Sequence, residues 1–294
     1  MVETESKQDT AETKPFLDAD RTYLLHDAAL HNRDTDIQLC IERGINVNQT
    51  NKDGKTALYI AAKKGHHAAV SILLQNGADV NAQGGHYGNA LQAATFNEKE
   101  TVVRMLLDHG ADVNAQGGHY GNALQAAAHW GIKTVVRTLL DHGADVNAQG
   151  GKFGNALQAA ARNGSQTIVH MLLEHGANVN AQGGEHGNAL QAAVEKRYED
   201  VVRLLLEREI DINIKRNALK RAVEKGYKEI VQLLKDNLAN HSPDESPKPS
   251  KEPSIQSVSP VVPDDPTHSA PTFETTGEMM DSPGKDARER EEEL

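Results

Sequence analysis

The apolar residues of this chain fall into short stretches at helical spacing, separated by glycine-containing breaks. Residues 134–142 place Val135, Val136, Leu139 and Leu140 on one face of a predicted helix. The stretch before it, Asn122–Trp130, is a run rich in Ala, headed by an Asn whose side chain suits an N-cap. Gly131 follows at the position where a C′ glycine ends a helix. Gly143 stops the second stretch, and Ala144-Asp145-Val146-Asn147 leads into a Gly150-Gly151 turn. Two helices of about nine residues cannot bury their apolar faces alone, whereas stacking on neighbours does bury them. The pattern therefore predicts a helix–turn–helix unit whose core lies between units.

The unit recurs. Gly-Asn-Ala-Leu begins at Gly88, Gly121, Gly154 and Gly187, at steps of 33 residues, and the run Ala82–Ala94 returns letter for letter as Ala115–Ala127. Such spacing marks an internal repeat. Composition agrees with stacked helices: 38% of residues are hydrophobic but only 4% aromatic, so the core is built from Leu, Val, Ile and Ala. A sheet richer in β-branched and aromatic residues is disfavoured.

Residues Asp53–Asn81 resemble the ankyrin repeat. The family's Thr-Pro-Leu-His-x-Ala-Ala signature stands here as Thr56-Ala-Leu-Tyr-Ile-Ala-Ala62, followed by Ile72-Leu-Leu and Gly77-Ala-Asp-Val-Asn81. Later units read Asn-Ala-Leu-Gln-Ala-Ala. The proline is absent throughout, and Gly-Gly-His-Tyr or a relative replaces the usual Asp-x-x-Gly of the hairpin. The resemblance implies an all-α ankyrin-repeat solenoid of about seven stacked units, starting near Tyr23, Thr56, Asn89, Asn122, Asn155, Asn188 and Asn217, the last a short cap. The expected organisation is a flexible segment 1–21, a repeat domain 22–238, and a disordered acidic tail rich in Pro and Ser, 239–294. The Gly-Gly-x-Tyr wording is similar to ankyrin arrays of filamentous fungi, including those on NOD-like receptors.

Comparison inside the chain shows where the repeat leaves freedom. Units 88–120 and 121–153 differ at nine of 33 positions: six contiguous ones at 95–100 versus 128–133, two at the hairpin tip, and Met105 versus Thr138. In the ankyrin family the inner-helix end and the hairpin finger line the concave binding face. The resemblance thus implies a partner-binding surface over Phe96, Asn97, His129, Trp130, Arg162 and Asn163, with Tyr87, Tyr120 and Phe153 on the fingers. Aromatic residues and Arg near the centre of a patch are the types that dominate interface energetics. Two readings stay open for the aromatics. Trp130 is either a binding anchor or a plug between two repeats, and Tyr87 and Tyr120 either touch the partner or brace the glycine-rich turn. Lys63 and Lys64 read as a solvated edge.

Chemical motifs are set aside. Gly54-Lys55-Thr56 imitates the end of a phosphate-binding loop, but Gln49 stands where its first glycine belongs. Gly84–Gly88 lacks both the dinucleotide-binding spacing and a preceding strand. His109, His142 and His175 recur at 33-residue steps, each before a glycine. Stacked helices lie about 8–10 Å apart, whereas two zinc ligands must each lie about 2 Å from one ion. A place in the last helical turn, favourable for imidazole, explains them instead. No catalytic constellation, metal site or cofactor is expected.

The formal net charge is −11, of which residues 239–294, with 13 acids and 5 bases, carry −8. A nearly neutral body gives no reason to expect nucleic-acid or membrane binding. A single cysteine, Cys40, in register with the core position Leu73, excludes an internal disulfide and fits a reducing compartment. The absence of a secretory-type apolar region points to cytosol or nucleus. Nine of the ten prolines lie in the tail, where Ser242, Ser246, Ser259 and Ser282 each precede one, the dipeptide of proline-directed kinases. The expected function is a non-enzymatic scaffold or adaptor that binds another protein. The alternative is a free-standing relative, or fragment, of the sensor region of a fungal NOD-like signalling receptor.

Overall fold

The computed structural model of the chain describes residues 18–240. The predicted tail, its Ser-Pro sites and most of the segment 1–21 lie outside the described residues. Fourteen helices form two rows among those residues. The inner row is α1 (Asp18–Leu30), α3 (Ala57–Lys64), α5 (Ala90–Phe96), α7 (Ala123–Trp130), α9 (Ala156–Asn163), α11 (Ala189–Glu195) and α13 (Ile212–Glu224). The outer row is α2 (Asp34–Glu42), α4 (His67–Gln75), α6 (Glu100–Asp108), α8 (Lys133–Asp141), α10 (Gln166–Glu174), α12 (Glu199–Leu206) and α14 (Lys228–Asn240).

The local signals act as their chemistry requires. Asn122 caps α7 by accepting the Gln125 N–H at 2.8 Å, and Gly131 ends that helix at φ +73°. At the same position of the neighbouring unit Glu98 is held at φ +57°, a conformation that costs a residue with a side chain about 1–2 kcal/mol. The outer helices bury Val135, Val136 and Leu139 and their counterparts, each such side chain contributing about 1.5–3 kcal/mol. His109, His142 and His175 each donate through Nδ1 to the carbonyl four residues back, at 2.7–2.8 Å, and so satisfy a C-terminal helix carbonyl.

Inner helices meet on fully buried alanines such as Ala126–Ala128 and Ala159–Ala161. These small residues let the inner row approach more closely than the outer row, whose contacts are Val, Leu and Ile. An asparagine ladder ties each connecting loop to the next. Asn48, Asn81, Asn114, Asn147 and Asn180 donate to the carbonyls of Gly77, Gly110, Gly143, Gly176 and Glu209. Their Oδ1 atoms accept the N–H groups of Asp79, Asp112, Asp145, Asn178 and Asp211 at 2.7–2.9 Å.

The last unit differs from the expectation of a start near Asn217. Helix α13 begins at Ile212, capped by the Asp211 side chain accepting from Asn213 N–H at 2.7 Å. No Gly-Gly turn stands before it, so the chain passes from α12 to α13 without a finger. At the other end α1 begins at Asp18, inside the segment expected to precede the repeats. Cys40 is buried, and that burial, with Asp36 beside it, pushes its thiol pKa up, away from reactivity.

Candidate partner-binding face

Each finger is a glycine-rich turn closed by backbone pairing, as Gly117 with Gly121, Gly150 with Gly154 and Gly183 with Gly187. The preceding unit holds it in place. Gln92 Nε2 donates to the carbonyls of Ala115, Gly117 and Gly121; Gln125 Nε2 to those of Ala148 and Gly154; and Gln158 Nε2 to those of Ala181 and Gly187. His26 occupies the same repeat position in the first unit and donates through Nε2 to Lys55 O at 2.9 Å. Glutamine therefore performs here the task that histidine performs in α1. Successive fingers also touch through backbone, with Lys152 N–H donating to His119 O at 3.3 Å and Glu185 N–H to Lys152 O at 3.2 Å.

Finger and helix side chains then interleave into one continuous stack. The Lys63 ammonium lies 5.4 Å from the Tyr87 ring centre, Tyr87 stacks on Phe96 at 4.2 Å, and Phe96 meets Tyr120 at 5.7 Å. Tyr120 stacks on His129 at 5.5 Å and His129 on Phe153 at 4.3 Å. The Arg162 guanidinium lies 5.0 Å from Phe153 and its Nε is 3.1 Å from His186 Nε2. Beyond it the groups are ionic. Glu185 pairs with Arg162 at 3.3 Å, and Glu195 pairs with Arg221 and Lys225 at 2.7 Å each. Burial raises the Glu195 carboxyl pKa, but Lys225 and Arg221 outweigh it and hold the group below the usual value. Burial lowers the His186 pKa against the pull of Glu185, so this imidazole favours its neutral form.

A motif described by thirteen identical residues in two consecutive units, Ala82–Ala94 and Ala115–Ala127, with a finger and two helices per unit, identifies a repeat class rather than a fold in general. The family model described as Ankyrin repeats (3 copies) matches residues 9–84, 25–117, 84–150, 116–183, 148–216 and 182–245. The chain belongs to the ankyrin-repeat family. No curated protein matches it in a sequence search. Ankyrin repeats are generally protein–protein interaction modules and are typically not enzymes.

The array distributes the nine residues singled out in the sequence over two depths. Tyr87, Phe96, Tyr120, His129 and Phe153 are each 5% exposed or less. They form the interior of the stack, so in this conformation they brace the fingers against the inner helices. Asn97, Trp130, Arg162 and Asn163 reach the surface of the ankyrin array. Trp130 packs between repeats, its ring edge-on to Phe96 at 5.2 Å, and the residue remains partly exposed. His186 and Glu195 extend the stack and were not singled out, although their place at the same 33-residue steps was the signal for them; Lys63, read from the sequence as a solvated edge, is half-buried with its ammonium over the Tyr87 ring. At the finger tips, outside the stack, lie exposed His86, His119, Lys152 and Glu185. The His86 and His119 rings stack at 5.8 Å. No group of three or more metal-ligating side chains occurs among the described residues, and no described helix is long and apolar enough to cross a membrane.

Proposed function

We propose that this ankyrin array is an adaptor or scaffold, not an enzyme, that holds a partner protein against its inner-helix ends and finger tips. One observation carries this reading. Eight of the nine positions that vary between near-identical repeats lie at the inner-helix ends and fingers; some, such as Asn97/Trp130 and His119/Lys152, reach the surface, and the others, Phe96/His129 and Tyr120/Phe153, form the buried stack that supports them. A frame of that kind presents diverse side chains at fixed spacing without reorganising on binding, which reduces the ordering cost of association. The single buried thiol supports action in a reducing compartment, cytosol or nucleus.

The test is site-directed photo-crosslinking in the native cell. A photoreactive residue at Asn97 or Asn163 is expected to capture the same protein, and one at Arg137 on the outer row is expected to capture none of it. Capture from Arg137 alone would move the working surface to the outer helices. Phe96→Ala is unsuited to this question because the side chain is 1% exposed, and its loss costs about 3–5 kcal/mol of stability whatever the partner touches.

A further inference from the structure

One repeat position on the inner-helix ends reads, from the second to the sixth unit at 33-residue steps, Lys64, Asn97, Trp130, Asn163 and Lys196; in the first unit it is His31, which lies against Asp27. The order is palindromic about Trp130. All five side chains are exposed or partly exposed. Among the described residues Lys64 and Lys196 have no carboxylate within salt-bridge distance, in contrast to Arg162 and Lys225 on the same side, which are paired with Glu185 and Glu195. Glu185 and Glu195 are thus already paired with cations, and the five stripe positions hold no acid, although exposed Glu98 directly follows Asn97. Asn163 makes no side-chain hydrogen bond within the described residues, whereas the Asn97 amide donates to Ala93 O and keeps its oxygen for an incoming donor.

We propose that the partner segment is an extended peptide carrying acidic residues near both ends and a large apolar residue at its middle. This rests on the adaptor reading and names the chemistry of the partner at that same surface. Neighbouring inner helices are spaced about 8–10 Å apart, so Trp130 lies roughly 16–20 Å from each lysine. An extended chain rises about 3.3 Å per residue, which puts each acid about five or six residues from the apolar centre. The partly exposed indole covers that central side chain, the two asparagine amides meet backbone groups of the segment on either side, and the two lysines meet its carboxylates.

The experiment selects binders for the full chain from a phage-displayed library of random 16-residue peptides. Selected sequences are then made synthetically and titrated. Trp130 is the only tryptophan in the chain, so its emission reports occupancy of the centre directly. The expected result is enrichment of acids at both flanks of an apolar residue, with a blue shift of Trp130 emission on binding. Affinity should fall at least about tenfold in the double variant Lys64→Glu/Lys196→Glu, and fall with added salt. Both substitutions are at surface positions, and far-UV circular dichroism confirms that the fold is retained.

Peptides without acidic enrichment that still shift Trp130 emission would overturn the acidic pattern and leave the adaptor surface standing. Acidic peptides indifferent to the double variant and silent at Trp130 would overturn the placement. A library that yields no binder overturns the proposal as well, and the crosslinking at Asn97 and Asn163 then decides separately whether the face binds a partner of another kind.

Discussion

Replacing Gly151 by Ala isolates what holds one finger to the next. Gly151 sits at φ +60°, and a Cβ there would stand 2.3 Å from both the carbonyl carbon and the oxygen of Tyr120 in the neighbouring finger. Gly143 has a similar backbone, φ +80°, but nothing lies within 4 Å of its Cβ position. Positive φ alone costs an alanine about 1 kcal/mol in either place. At Gly151 the fingers must in addition separate by about 1 Å to reach ordinary contact. That separation breaks the Lys152 N–H to His119 O hydrogen bond, worth about 1 kcal/mol, and strains a packed stack by about 1–3 kcal/mol. The expected destabilisation is therefore roughly 3–5 kcal/mol for Gly151→Ala against roughly 1 kcal/mol for Gly143→Ala. Urea unfolding of the full chain, followed by far-UV circular dichroism, compares the two midpoints. Repeat arrays can unfold in steps, so the comparison uses the transition that contains α7 to α9, assigned by Trp130 emission. Equal midpoints for the two variants would refute the idea that finger-to-finger approach contributes to stability beyond turn geometry.

Three further outcomes follow from individual side chains. The Thr95 hydroxyl is buried without a hydrogen-bond partner, and the same repeat position holds buried Val194; Thr95→Val should raise stability by about 1 kcal/mol in the same urea assay. Glu98→Gly relieves a left-handed backbone that Gly131 and Gly164 occupy in register, and is expected to stabilise by about 1 kcal/mol, with an unchanged midpoint counting against strain at that site. His186 has a folded pKa depressed below its ordinary value, so its contribution is full above about pH 6.5 and is lost as pH falls through the folded value. Between pH 7 and 5 the wild-type midpoint should drop more steeply than that of His186→Phe, which carries the ring found at Phe153 in the preceding finger; parallel pH profiles would remove His186 from the acid response.

The helices and their limits were written locally. Asn122, Gly131 and the Val135–Leu140 pattern specify α7 and α8 within one unit, because capping and periodicity depend only on near neighbours. The 33-residue period then fixed which positions align, and with it the stacked architecture and the identity of the variable positions. The period did not fix their depth. Tyr87, Tyr120 and Phe153 lie on glycine-rich turns, where local chemistry suggests exposure, yet each closes over its own helix end and is covered by the next unit. That burial comes from backbone approach between fingers some 30 residues apart, possible because Gly151 and its counterparts carry no Cβ. The tasks of Gln92, Gln125 and Gln158 were hidden for the same reason, since their carbonyl partners belong to the following unit. Sequence alone thus determined what repeats and what varies. Only the packing of one unit on the next decided which of the varying side chains brace the array and which, Trp130 among them, reach its surface.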